Sequence, residues 1–289
     1  MIITDNIRGA AFMSASMAAF VLNDAIIKIA AENLSIFQVM FIRGLFTTAM
    51  IAMIAYYKKA SFKVISKADW KILTLRMVGE LGATTCFLTA LFNMPLANAT
   101  SILQSLPLAI TLGAAVFLRE PVGWRRYMAI IIGFLGILII VRPGSDGFNS
   151  YSIWAIGAVG FVVLRDLSTR RLSQETPSIL VALITAIGVT LAGAVLSPTM
   201  EWHVVTNKSV WLLLVAAAFL MFGYMFSVIT MRIGEISFVS PFRYTALVWA
   251  ILLGYLVFGD IPDKWTLIGS CIIVVMGCYT FYREHKLRR

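Results

Sequence analysis

Histidine is almost missing from this sequence. His203 and His285 are the only two in 289 residues, and both lie near loops or the tail. They leave no histidine cluster for a zinc site and no histidine placed for general-base chemistry. Cysteine is nearly as scarce. Cys86, Cys271 and Cys278 all fall inside apolar runs, lack metal-ligand spacing and read as small buried apolar residues. No HExxH, no Asp-rich motif and no catalytic cysteine setting occurs, so a membrane enzyme such as a lipid-modifying transferase lacks its machinery. Charge is thin as well, at 13% of residues, with 14 Asp and Glu against 24 Lys and Arg. Long polar linkers, low-complexity segments and lipidation signals are also absent. In their place stand 60% hydrophobic residues and a mean hydropathy of +0.88, far more apolar surface than a soluble core hides.

Apolar stretches of about 20 residues recur along the chain, each long enough to cross the hydrocarbon core as a helix. The pattern predicts ten transmembrane helices at 9–29, 36–57, 72–92, 97–118, 125–142, 152–168, 178–197, 210–230, 236–258 and 265–282. The first, which follows Arg8, reads as a retained helix rather than a signal peptide, given the many spans after it. The loops are too short to hold a separate soluble domain. With the amino terminus inside, the inner segments carry 17 Lys and Arg: Arg8, Lys58, Lys59, Lys63, Lys67, Lys71, Arg119, Arg125, Arg126, Arg165, Arg170, Arg171, Arg232, Arg283, Lys286, Arg288 and Arg289. The outer loops carry four, namely Lys28, Arg142, Lys208 and Lys264, and Arg43, Arg76 and Arg243 fall within spans. The positive-inside rule then places both termini in the cytoplasm. The net charge of +10 follows from that orientation and calls for no nucleic-acid partner. Short loops and this length point to a bacterial inner, or plasma, membrane.

The chain repeats itself. VLNDAIIKIAAENLSIFQV (21–39) aligns with VLRDLSTRRLSQETPSILV (163–181), setting Asp24 over Asp166, Lys28 over Arg170 and Asn33 over Glu175. GAAVFLREPVGW (113–124) aligns with LGYLVFGDIPDKW (253–265), setting Glu120 over Asp260. Each unit, 1–146 and 147–289, holds five predicted helices. An odd number makes the second copy enter the membrane from the opposite side, and the loop charges invert with it. Inverted repeats create a midplane site that rocking of one half against the other exposes alternately to each side. This is the logic of a secondary transporter. A scaffold without transport needs no such symmetry.

ALFNMPLANATSILQSLPLAITLGAAVFLREPV (90–122) then resembles the signature of the drug/metabolite transporter superfamily, EamA type. The third helix ends in an Ala-Leu pair, the fourth holds a central proline (Pro107) and closes on Glu120, and the fifth is glycine-rich (Gly133, Gly136). The second half repeats the close with Asp260, Gly269 and Gly277, but has Leu247 where the proline would fall. The resemblance implies an all-α integral membrane fold of two inverted five-helix EamA repeats, with a central cavity lined mainly by helices 1, 3, 4, 6, 8 and 9. It also implies transport of small metabolites without ATP hydrolysis, by a monomer or a homodimer. The NDxxxK pattern (Asn23, Asp24, Lys28) and PFRY (241–244) resemble the branch containing S-adenosylmethionine uptake carriers and riboflavin carriers. The implied solute is a small polar or amphipathic one, amino-acid- or nucleoside-like, and no cofactor is implied.

Polar groups inside spans cost about 2.5–3.5 kcal/mol for a central charge even on lenient scales, so they mark cavities or partners. Depth along the helices predicts two ionic clusters. Asp24 with Arg43 forms an outer one; Glu80, Arg243 and Asp166 form an inner one, and these alternate as gates. A desolvated Glu80 is also a candidate carrier of a coupling proton. Arg76, one turn before Glu80, reads as a snorkelling anchor. Gln104, one turn before the kink at Pro107, and Tyr244 and Trp249 on the ninth helix complete the candidate substrate-binding residues. Phe219, Phe222 and Phe226 offer further stacking surfaces. Glu120 and Asp260 read as structural caps, and Trp124, Trp202 and Trp265 as interfacial anchors.

Overall fold

The structure, a computed structural model, describes residues 2–31, 34–119, 122–144, 148–173, 175–233 and 239–288. Asn33 and Glu120 lie outside them. The described helices are α1 (Ile2–Ala30), α2 (Ile36–Tyr57), α3 (Lys67–Asn93), α4 (Leu96–Leu103), α5 (Leu106–Phe117), α6 (Trp124–Val141), α7 (Tyr151–Arg170), α8 (Ser178–Leu196), α9 (Asn207–Ile233), α10 (Thr245–Phe258) and α11 (Lys264–Arg288). They supply ten segments long and apolar enough to cross a membrane. In hydrocarbon a backbone must bond within its own segment, which helices achieve. The starts are capped locally. Ser35 and Gln38 form a reciprocal capping box at α2, and Ser66 accepts from the Asp69 amide at α3.

The first helix begins at Ile2, a full two turns before the predicted 9. The fourth and ninth spans are both interrupted. α4 ends at Leu103 and α5 starts at Leu106, with Gln104 and Ser105 each at ψ −11° between them. Pro107 sits in the first turn of α5, where a missing amide is tolerated. The ninth span opens as a 3₁₀ turn, Ser240–Tyr244, that passes into α10. The alignment of Glu120 on Asp260 is a shift of 140 residues, and it sets Gln104 on Tyr244. Tyr244, also at ψ −11°, is the junction of the two pieces. The break is thus shared by both repeats although Pro107 is not.

Packing obeys the same two-fold rule. α1 packs along α9 and its repeat equivalent α7 packs along α3; α2 packs on α8, and α6 on α11. α1 also meets α10, as α7 meets α4 and α5. The α6–α11 pair is close. A Cβ on Gly136 would lie 2.8 Å from the Gly269 carbonyl oxygen, and one on Gly269 would lie 2.5 Å from that of Gly136. One apolar core cluster joins Met13, Val21 and Ile27 of α1 to Met40, Leu88, Leu91 and Leu213. A second joins Ile102 and Ile137 to Ala155 and Ile273. Large side chains such as Leu135, Val195 and Val248 face outward, as a bilayer solvent permits. Cys271 is exposed on that outer surface rather than buried like Cys86.

Each end of the bundle carries a polar tie. At the end holding the α2–α3 loop, Asp69 accepts from the Ser173 amide (3.1 Å) and the Thr176 hydroxyl (2.9 Å). At the other end the Gln38 amide donates to the His203 carbonyl at 2.8 Å and accepts from the His203 N–H at 3.3 Å.

Candidate functional site

The repeated words VLND and VLRD occupy equivalent places on α1 and α7, and each folds into a bonded dipeptide. Asn23 Nδ2 donates to Asp24 Oδ1 at 2.9 Å. Arg165 Nε donates to Asp166 Oδ1 at 2.8 Å. The partners differ in sign. Arg43 on α2 donates to Asn23 Oδ1 at 3.5 Å, so it reaches Asp24 by way of Asn23. Arg165, the repeat counterpart of Asn23, instead faces Glu80 of α3, with Nη1 3.6 Å from Oε2. Gly79 makes that approach possible. A Cβ there would lie 2.8 Å from the Arg165 backbone nitrogen, so only glycine lets α7 lie close enough to seat Arg165 beside Glu80.

Two expectations change here. The partner of Glu80 is Arg165, not Arg243. Arg165, expected as an inner-segment charge, lies within α7. Arg243, on the 3₁₀ turn, is exposed and within electrostatic reach of Asp166 and Arg165. Arg76 is not a snorkelling anchor. It bonds Thr169 (2.9 Å) and Thr185, lies 3.8 Å from Glu80, and its side chain is only 15% accessible. Thr185 is the repeat counterpart of Arg43. Each repeat thus brings an arginine to the same address, by its own side chain in one half and by a neighbour's in the other.

The two expected clusters are also not separate. Arg43 lies within electrostatic reach of both Asp24 and Glu80. Tyr224 of α9, which no charge in the sequence marks out, belongs with these groups. Its side chain is 51% accessible, yet it is in electrostatic reach of Glu80, Arg165, Arg76 and Arg43, which stand on three other helices. Charges from α2, α3 and α7 thus converge on one tyrosine of α9. Phe20 of α1 packs edge-on to the Tyr224 ring at 5.3 Å.

The remaining candidates lie elsewhere. Gln104 is buried at the α4–α5 break and Pro107 follows it. Tyr244 is buried, its ring against Gly277 of α11, and no hydrogen-bond partner of its hydroxyl occurs among the described residues. Trp249 packs, partly buried, on the α1–α3 apolar cluster. Phe226 stacks against Phe12 of α1 and Phe222. The break shared by the two repeats therefore holds Gln104 and Tyr244, while the charged group holds Asp24, Arg43 and Glu80, with Arg243 in reach of Asp166.

At one end of the bundle Lys28 donates to the Met94 carbonyl and lies 5.2 Å over the Phe258 ring. At the opposite end Arg171 donates to the Phe117 carbonyl at 3.4 Å. Each contact ties the helix carrying the repeated dipeptide to a helix end across the bundle.

Comparison with known proteins gives one consistent answer. A riboflavin transporter of Vibrio cholerae is 26% identical over 98% of this chain and 96% of its own length. An S-adenosylmethionine uptake transporter of Rickettsia conorii is 26% identical, covering 91% of this chain and 89% of that protein. A pseudopaline exporter of Pseudomonas aeruginosa is 27% identical, covering 92% and 93%. A crystal structure with 18% identity superposes with a TM-score of 0.66 over 96% of this chain and 99% of that one, which supports the fold. The EamA-like transporter family matches twice, at residues 7–142 and 149–282. Two matches to one family, on the halves that the internal repeat and the two-fold packing define, make this chain a multi-pass inner-membrane transporter of the EamA-like family, with no enzymatic activity.

Proposed function

We propose that this transporter is a secondary carrier working by alternating access, with units 1–146 and 147–289 as its halves and both termini in the cytoplasm. The carrying observation is the pair of equivalent dipeptides with opposite partners, Asn23–Asp24 under Arg43 and Arg165–Asp166 under Glu80. Bonds of this kind on either side of one cleft are suited to alternate as the halves rock. Asp24 and Arg43 serve the outer side; Glu80, with Arg243 near Asp166, serves the inner side. Glu80 is placed to take up a coupling proton when its arginines move away. Gln104 and Tyr244, at the equivalent breaks, act as hinges beside the kink at Pro107, and Trp249 braces the ninth helix for stacking.

The solute is amino-acid- or nucleoside-like, with S-adenosylmethionine the first to try. Two of the relatives are named for S-adenosylmethionine and riboflavin, and both solutes present a flat heteroaromatic ring. The Tyr224–Phe20 pair offers such a ring an aromatic wall, and the surrounding charges suit polar appendages. The test is uptake of labelled S-adenosylmethionine and riboflavin into liposomes containing only this protein, with and without a pH gradient, with both termini tagged to report sidedness. Flux that saturates, and falls in Glu80→Gln and Arg43→Gln, supports the reading. Flux equal to that of empty liposomes for these solutes and for amino acids, nucleosides and polyamines sinks it.

A further inference from the structure

Apart from the charged groups, the molecule has an apolar concavity. A groove of about 700 Å³ runs between α5, α6 and α7, lined wholly by apolar residues including Val116, Phe117, Ile131, Leu135, Ile156 and Gly160. It is open to the side, since Val116, Phe117, Ile131 and Leu135 are each more than half accessible. On α5 it extends from Ala109 to Phe117. That is about 12 Å at the helical rise, close to the depth of one leaflet in a hydrocarbon core of about 30 Å.

The end of the groove at Phe117 is basic. Arg171, itself exposed, reaches the Phe117 carbonyl there. Two residues beyond Phe117 is Arg119, exposed and in the left-handed region at φ 55°. Arg125, also exposed, opens α6 with its guanidinium 5.4 Å over the Trp124 ring, and that ring is 71% accessible. An accessible tryptophan beside a cation is the side-chain chemistry of headgroup depth. The corresponding turn of the second repeat, GDIPDK (259–264), carries Asp260 and Asp263 with one lysine, so the arginines of the α5–α6 turn, Arg119 and Arg125, have no basic match in the second repeat.

We propose that this groove binds an anionic phospholipid, its acyl chain along α5 to α7 and its phosphate against Arg119, Arg125 and Arg171. A lipid seated there touches both repeats, because α7 belongs to the second and α5 and α6 to the first. The arginines supply the charge selection that the apolar wall cannot.

The experiment uses the full chain in detergent, with phosphatidylglycerol or phosphatidylcholine of identical acyl chains added in turn. Lipid retention is read by mass spectrometry of the intact complex, and melting temperature is read in parallel. Phosphatidylglycerol should be retained at least tenfold better than phosphatidylcholine and should raise the melting temperature by several degrees. Arg171→Gln combined with Arg125→Gln should abolish that preference. Gly160→Leu should displace the lipid with every arginine in place, because a Cβ at Gly160 meets nothing within 4 Å and the new side chain enters the groove without a backbone clash. Lysophosphatidylglycerol should be retained and glycerol phosphate should not, which separates the chain-in-groove site from a bare phosphate contact. Equal retention of the two phospholipids, or a preference unmoved by both the double arginine variant and Gly160→Leu, overturns the proposal. A preference moved by the arginines but not by Gly160→Leu overturns the groove as its seat.

Discussion

Replacing Glu80 by glutamine keeps the shape of the side chain and removes its charge. In the fold Glu80 Oε2 lies 3.6 Å from Arg165 and 3.8 Å from Arg76, and the three side chains are 15% to 24% accessible. At an effective dielectric of about 20, each contact is worth about 4 kcal/mol before desolvation. Desolvation of the three groups offsets much of this. Breaking a wholly buried pair costs about 3–5 kcal/mol, and partial access to water lowers that figure. Glu80→Gln also leaves Arg76 and Arg165 facing each other without the carboxylate between them. We therefore expect it to destabilise the protein by about 2–3 kcal/mol. Arg165→Gln leaves Glu80 still beside Arg76 and should cost about 1–2 kcal/mol. The double variant should fall short of the sum by about 1 kcal/mol or more, because the second change removes a group already stranded by the first. Unfolding of the four proteins in one detergent gives the complete cycle. Strict additivity, or a Glu80→Gln protein within about 0.5 kcal/mol of the parent, refutes the ion-pair reading of these groups.

Other outcomes follow from single contacts. A Cβ on Gly277 would overlap the Tyr244 hydroxyl, so Gly277→Ala should lower stability by about 1–3 kcal/mol through overpacking; adding Tyr244→Leu should recover part of it, as thermal melting will register. Tyr224→Phe should keep solute binding to within a few-fold and Tyr224→Ala should lose at least tenfold, if the ring rather than the hydroxyl meets the solute; ligand-induced thermal stabilisation distinguishes them. Asp263, in the loop before α11, supplies a pH test. Burial disfavours its charge, but the Thr266 amide at 2.8 Å and the Arg142 guanidinium outweigh burial and hold its carboxyl below the usual range. A depressed carboxyl stabilises the fold above its unfolded value of about 3.9 and loses that contribution as pH falls through its folded value. Melting temperature should therefore hold from pH 7 to 5 and drop below about 4, and Asp263→Asn should be less stable at pH 7 with a shallower acid limb.

Most of the architecture was legible because bilayer solvation imposes one backbone solution and one length on every span. The site was legible only where a residue looked out of place. Asp24, Arg43 and Glu80 stand out as charges in apolar runs. Arg165 does not, because five residues further on its helix reaches Arg170 and Arg171 at the end of the span, and it reads as one of their inner-segment charges. Tyr224 was hidden among Phe219, Phe222 and Phe226, where composition carries no sign of which ring faces the charges. Pro107 announced the break in the fourth span. The matching break at Tyr244 has Leu247 in the proline's place, and only the repeat alignment brings the two together. Pairing in general was the weak point: helix depth set Glu80 against Arg243, whereas the lateral contact of α3 with α7, made close by Gly79, set it against Arg165.

The shared break in the fourth and ninth spans bears on energy as well as on shape. If the two halves exchanged conformations, a molecule with two identical repeats would regain its own structure upside down, at the same free energy. Its two end states would be degenerate, each half occupied. This chain departs from that ideal along most of its length, and among the departures are polar or backbone-shaping ones: arginine against threonine at 43 and 185, asparagine against arginine at 23 and 165, proline against leucine at 107 and 247. In the proposed carrier, mismatches of this kind lift the degeneracy. A bias of about 1.4 kcal/mol between the halves already sets a tenfold preference for one orientation. Under the alternating-access proposal the resting orientation is set by such exceptions to symmetry, and making 43 and 185 alike should move that balance before it disturbs the fold.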